Sequence, residues 1–112
     1  MEINEQYDRK VLILTLDGEL MGGADADKFR RTIDHAIEED RVQIVIDMAK
    51  VNWMNSSGLG MLISALSTVR SSNGDLKLAN LSDRLRRPME ITKLDTVFQQ
   101  FPSVSAAVKS FK

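Results

Sequence analysis

Nine residues, Asn52-Trp53-Met54-Asn55-Ser56-Ser57-Gly58-Leu59-Gly60, hold the groups in this chain best placed for chemistry. They follow an apolar, strand-like run and open an amphipathic helical pattern. A hydroxyl at a helix start faces backbone N–H groups that lack intrahelical acceptors, and it sits at the positive end of the helix dipole. Ser57 occupies such a place, and a phosphate attached there is well hosted. Gly58 and Gly60 carry no side chain, so another backbone can approach closely. Leu59 has two options, the core or an apolar contact with a partner. A plain structural role fits the same residues: Asn or Ser before a helix is a common cap, worth about 1 kcal/mol against Ala.

Other reactive constellations are missing. His35 is the sole histidine and falls on a charged helical pattern that faces solvent. Ser57 has no second histidine to act as its base and no Gly-x-Ser-x-Gly elbow, which argues against a serine hydrolase. Asp25, Asp27, Asp34 and Asp47 lack metal-loop spacing, and Gly22-Gly23 is followed by no Gly-Lys-Ser/Thr, so neither a cation loop nor a P-loop is expected. No catalytic residue, metal or cofactor is expected.

Composition narrows the class further. The 112 residues fit one domain, 1–112, with 43% hydrophobic and 28% charged residues. Cysteine is absent, which removes disulfide, thiolate and Cys-type zinc chemistry. Fifteen basic residues against sixteen acidic ones give a net charge of -1, without the basic excess that direct nucleic-acid binding calls for. No apolar run is long enough for a membrane span, and Met-Glu-Ile-Asn-Glu-Gln does not read as a signal peptide, so a cytoplasmic protein is expected.

The elements that must position Ser57 follow from hydrophobic periodicity. Residues 10–17 read as a buried strand, with residues 2–7 as an antiparallel edge strand turned at Asp8-Arg9-Lys10. A turn-rich loop, Gly18–Ala24, leads into a helix carrying Phe29, Ile33, Ala36 and Ile37. Residues 42–47 form the next strand, and Met48–Asn55 a connection. The second helix starts at Ser57 with Leu59, Leu62, Ile63, Leu66 and Val69 on one face, and Asn73-Gly74 stops it, with Gly74 in the left-handed conformation. Leu76–Ala79 is a short parallel strand. Ser82 caps a third helix bearing Leu85, Met89 and Ile91, and Pro88 predicts a kink or early end. Residues 96–100 read as a last short strand. Ser103 caps a terminal helix with Val104, Ala107, Val108 and Phe111 inward. Arg84, Arg86 and Arg87 read as a solvated face, Trp53 as partly buried against the sheet, and the six methionines as core filler. Strand–helix alternation predicts an α/β fold whose functional loops gather at the carboxyl ends of the strands, here 18–24 and 48–57.

Asn55-Ser56-Ser57-Gly58-Leu59-Gly60, after Ile44-Val45-Ile46-Asp47-Met48, resembles the signature of STAS-domain anti-sigma factor antagonists. Gly18-Glu19-Leu20, Leu76-Lys77-Leu78-Ala79-Asn80-Leu81 and Ile91-Thr92-Lys93-Leu94-Asp95-Thr96-Val97-Phe98 match further family segments in order, so the resemblance covers nearly the whole chain. It implies the STAS fold: a single mixed, mostly parallel sheet of about four to five strands with about four helices. It makes Ser57 the phosphoacceptor and Ser56 its neighbour. It also implies a contact surface of Met21, Gly22, Gly23, Ala24, Asn55, Ser56, Gly58 and Leu59. The implied partners are an anti-sigma factor that is also a serine kinase, and a PP2C-type phosphatase. Asn55 and Met21 depart from the family pattern, which usually has an acidic residue at the first position and often at the second. Asn55 can still cap through its carbonyl oxygen. Two other functions stay open: a STAS scaffold that is not phosphorylated, serving a transporter or signalling complex, and a small-ligand or nucleotide-binding domain using the same two loops. No sequence signal sets an oligomeric state.

Overall fold

A computed structural model describes residues 1–111. The chain opens with a hairpin in which β1 (Glu2–Asp8) pairs antiparallel with β2 (Val11–Leu20), Asp8 opposite Val11. Arg9, at φ 60, takes the left-handed conformation that a two-residue hairpin turn requires. Three crossovers then add parallel strands. Helix α1 (Ala24–Glu38) leads to β3 (Gln43–Met54), α2 (Ser56–Ser71) to β4 (Asp75–Ala79), and α3 (Asp83–Ile91) with a 3₁₀ turn at Leu94–Thr96 to β5 (Gln100–Phe101). Helix α4 (Val104–Lys109) follows. Sheet order is β1-β2-β3-β4-β5. Each parallel crossover steps to the adjacent position, and right-handed crossovers in one direction place their helices on one face.

The packing matches. Leu12, Leu14, Ile44, Ile46, Leu76 and Leu78 project from the sheet into a core shared with Phe29 and Ile33 of α1, Leu62, Leu66 and Val69 of α2, and Leu85 and Met89 of α3. The alternate residues Val11, Ile13, Val45 and Ala79 meet Ala107 and Val108 of α4 on the other face. Strands covered on both sides must be apolar throughout, which is why β2 and β3 read as continuous hydrophobic runs. Lys77 shares the α4 face and is only 6% exposed. Its ammonium donates to the Ser110 carbonyl (3.2 Å) and hydroxyl (2.7 Å) and lies 4.2 Å from the Phe111 ring centroid.

Several expectations are corrected. Both central strands run further than their apolar cores, β2 to Leu20 and β3 to Met54, because their ends pair with each other: Gly18 with Val51, Glu19 with Trp53, Leu20 with Met54. The expected loops 18–24 and 48–57 thus shrink to Met21–Gly23 and to Asn55. Helix α2 begins at Ser56, one residue early. Asn73, not Gly74, takes positive φ (67°) at its end, while a side chain at Gly74 would strike the backbone of Val42. Helix α3 continues three residues past Pro88, and Ile91 is 76% exposed rather than inward. Most of the expected strand 96–100 is a 3₁₀ turn and loop before β5.

Replacing Lys77 by Ala removes two hydrogen bonds and the cation over Phe111, and is expected to lower stability by about 2 kcal/mol. Urea unfolding and amide exchange check this, with α4 amides losing protection first; an unchanged midpoint would contradict the assigned role.

Candidate functional site

The site lies where the ends of β2 and β3 stop beside each other. Asn55, with extended backbone (φ -97, ψ -175), is the N-cap of α2, and its side-chain Oδ1 accepts from the Gly58 amide at 2.8 Å. The cap satisfies one of the orphan donors of the first turn. The same residue also binds the neighbouring strand and loop. Its backbone N–H donates to the Leu20 carbonyl at 3.2 Å, and its Nδ2 donates to the Met21 carbonyl at 3.3 Å. A carboxylate here would keep the cap but lose the second bond, because it has no N–H to give. The departure from the family pattern at position 55 therefore ties the first loop to the second helix.

Glycines allow the rest of the approach. Any side chain on Gly58 would collide with the carbonyl of Leu20, so the opening turn of α2 rests on the end of β2. Gly22 lies on the other side. Its φ of 86° disfavours other residues, and a Cβ there would sit 2.8 Å from the Ser57 Cβ. Gly23 (φ 64, ψ -131) then starts α1, its carbonyl accepting from Ala26 N–H at 3.0 Å.

Ser56 and Ser57 are the first two residues of α2, and both are exposed. The Ser57 hydroxyl makes no hydrogen bond to protein among the described residues, and its β-carbon packs beside Gly22. Their amides precede the first intrahelical bond, in which Leu59 N–H meets the Asn55 carbonyl at 2.9 Å. An anion on Ser57 would thus meet free donors and the dipole of a sixteen-residue helix.

The expected surface is brought together in part. Met21 (42% exposed), Gly22, Gly23, Ala24, Asn55 and Ser56 flank Ser57, all partly or fully exposed. Two members are corrected. Leu59 is 6% exposed and packs in the main core, so it takes the first of its two options. Gly58 is buried, and the backbone it admits is this chain's own Leu20. Sequence reasoning missed Leu20 as an organising residue. Its role lies in its carbonyl, and the only trace is the side-chain-free position at 58.

The outlying groups take structural places. His35 is exposed, with Nε2 3.6 Å from Glu39. Asp47 accepts from Asn80 Nδ2 (2.9 Å) and Ala49 N–H (3.1 Å), which holds the chain after β4 against β3. Among the described residues no three His, Cys, Asp or Glu side chains gather to hold a metal.

Residues 2–107 match the family model described as the STAS domain. The chain belongs to the STAS domain family. This STAS chain is 32% identical over 74 residues to the anti-sigma-B factor antagonist of Listeria monocytogenes, which is 66% of this chain and 65% of that protein. It thus spans less than two thirds of the length of that relative. The crystal structure of tm1081 from Thermotoga maritima superposes with a TM-score of 0.88 at 22% identity, over 96% of this chain and 92% of that one. SpoIIAA of Bacillus in its phosphorylated form gives 0.76 at 19% identity, over 99% and 100%. At these identities the structural likeness is one of fold.

The two helical glycines of this STAS domain have opposite roles. Gly58→Ala is expected to destabilise by at least about 1–3 kcal/mol, the cost of overpacking against backbone. Gly60, with open space around its Cβ position, is expected to gain about 0.5–1 kcal/mol on substitution by Ala. Urea midpoints of the two variants check the pair; equal shifts of the same sign would contradict the geometry.

Proposed function

We propose that this chain is an anti-sigma factor antagonist and that Ser57 is its phosphoacceptor. In its unmodified state, the surface formed by Met21, Gly22, Gly23, Ala24, Asn55 and Ser56 around Ser57 binds an anti-sigma factor, and the sigma factor is released. The anti-sigma factor is also a serine kinase. It moves the γ-phosphoryl group of ATP to the Ser57 oxygen; ADP leaves, and the hydroxyl gives up its proton. Phosphorylation ends the association, and a PP2C-type phosphatase hydrolyses the ester to restore the hydroxyl. The chain is the substrate of this cycle, not its catalyst, and works in the cytoplasm without a cofactor. The same cycle accounts for the surface without requiring the other two functions the sequence left open.

One observation carries this reading: Ser57 is exposed at the start of a capped helix, and its oxygen is engaged by nothing else in the described chain. The names of the relatives support it. The electrostatics explain the switch. A phosphoserine brings about -1.5 to -2 charges and three strong acceptor oxygens. The helix start tolerates that charge, so the fold stays intact. The six residues named around Ser57 carry no charged side chain. A partner fitted to this small neutral surface must desolvate the dianion with nothing on this side to compensate.

The test is a titration against the cognate anti-sigma kinase. Ser57→Ala is expected to bind as the unmodified chain does and to gain no mass with ATP. Ser57→Asp is expected to bind at least about tenfold more weakly. Equal affinity of the two variants, or phosphate found elsewhere on the unaltered chain, would overturn the assignment.

A further inference from the structure

A second surface lies at the same end of the molecule, between the end of β3 and α3. Trp53, Arg84, Arg87, Pro88 and Ile91 line a hollow of about 860 Å³. Two large apolar side chains stand open there: Ile91 is 76% exposed and Trp53 38%. The charges around them are unevenly matched. Asp83 is paired with Arg86 at 3.5 Å. Among the described residues Arg84 and Arg87, like Arg9 and Arg31, have no carboxylate within ion-pair distance, whereas Arg30, Arg41, Arg70 and Arg86 each have one. Glu90 alone offsets them, which leaves the hollow positive on a chain whose net charge is -1.

The placement of these arginines works against their own helix. Arg84 is the second residue of α3, and Arg86 and Arg87 follow within its first five, where the dipole favours acids. Arg84 is held in place from outside, its guanidinium 5.5 Å from the centroid of the Trp53 ring. A cation fixed over an aromatic face, beside a second unpaired guanidinium and an open isoleucine, is a preorganised receptor for carboxylates next to an apolar side chain.

We propose that this hollow binds an acidic segment of a protein partner, with carboxylates on Arg84 and Arg87 and an apolar side chain seated against Trp53 and Ile91. The inference deepens the antagonist reading and rests on it for the identity of the partner, since Trp53 lies four residues before Ser57 on the strand that leads to it. A protein bound over Ser57 reaches this hollow without leaving the sheet end. Modification of Ser57 then controls one contact, while the arginines supply a second whose charge preference selects among partners. A nucleic acid fits less well, because the local excess of charge is small and the arginines share the lining with Asp83 and Glu90.

Trp53 is the chain's only tryptophan, so its fluorescence reports on the hollow directly. The probe is a synthetic amphipathic peptide of Glu and Leu, compared with its Lys and Leu counterpart. The acidic peptide is expected to produce a saturable shift that weakens with salt, and the basic peptide none. Arg84→Glu with Arg87→Glu is expected to weaken the acidic peptide by at least about tenfold. Circular dichroism confirms that the double variant is folded, and Arg84→Lys with Arg87→Lys covers the case in which it is not, retaining charge with partial binding. Absence of a shift, equal response to both peptides, an equal shift with a single-stranded oligonucleotide, or a concentration-dependent shift without peptide (a second copy as occupant) would each overturn the proposal. The peptide titrations use neither kinase nor ATP, and the phosphorylation assay uses no peptide, so failure of the phosphorylation cycle and failure of the acidic-segment site are told apart.

Discussion

The backbone of Gly58 rests on the carbonyl of Leu20, and much of the site's geometry depends on that contact. It brings the first turn of α2 onto the end of β2 without an intervening side chain. Asn55 then reaches both the Leu20 and Met21 carbonyls while capping its own helix. The contact forces the first loop to turn sharply, and Gly22 and Gly23 supply the two consecutive positive φ angles that allow it. Ser57 is left on the outside of this junction because the inward positions are taken by Gly58 and Leu59.

The arrangement separates stability from switching. Leu59 and the rest of the α2 inner face belong to the core, whereas Ser56 and Ser57, the first two residues of the helix, belong to the surface. A charge placed on the outer side meets helix donors and solvent rather than the apolar interior. The energetic consequence falls on whatever docks there, which is how a local electrostatic change acts on association while leaving the fold alone. The hollow lined by Trp53 and α3 adds a charged contact that this modification does not touch.

Much of this was legible in the residues. The mixed sheet, the antiparallel first hairpin, the caps at Asn55, Ser82 and Ser103, and the exposed serine all follow from hydrophobic period and turn chemistry. The strand ends did not. Register shifts between Thr15 and Asp17 and between Gly18 and Glu19 break the alternation that marks a strand: Glu19 looks like a loop residue yet lies opposite Trp53, and Asn52 is the residue the second shift leaves without a partner. Ile91 stands two residues after Met89 and six after Leu85, off the face those two share on a 3.6-residue helix, and α3 ends at it in solvent. The pattern at Asn73-Gly74 suggests a conformational role for Gly74, whereas its constraint is space beside Val42, a long-range contact that local pattern does not encode. Leu59 and Gly58 were legible as special positions, but whether their neighbours were internal or foreign was decided only by the approach of β2.

On the proposed cycle, phosphate on Ser57 changes the surface and not the fold. The most direct test is to install phosphoserine at position 57 and compare amide chemical shifts and hydrogen exchange with the unmodified chain. Shift changes are expected only in residues 21–24 and 55–60, with exchange in β2, β3 and α4 unaltered. Changes spreading through the central strands, or loss of protection along α2, would contradict it.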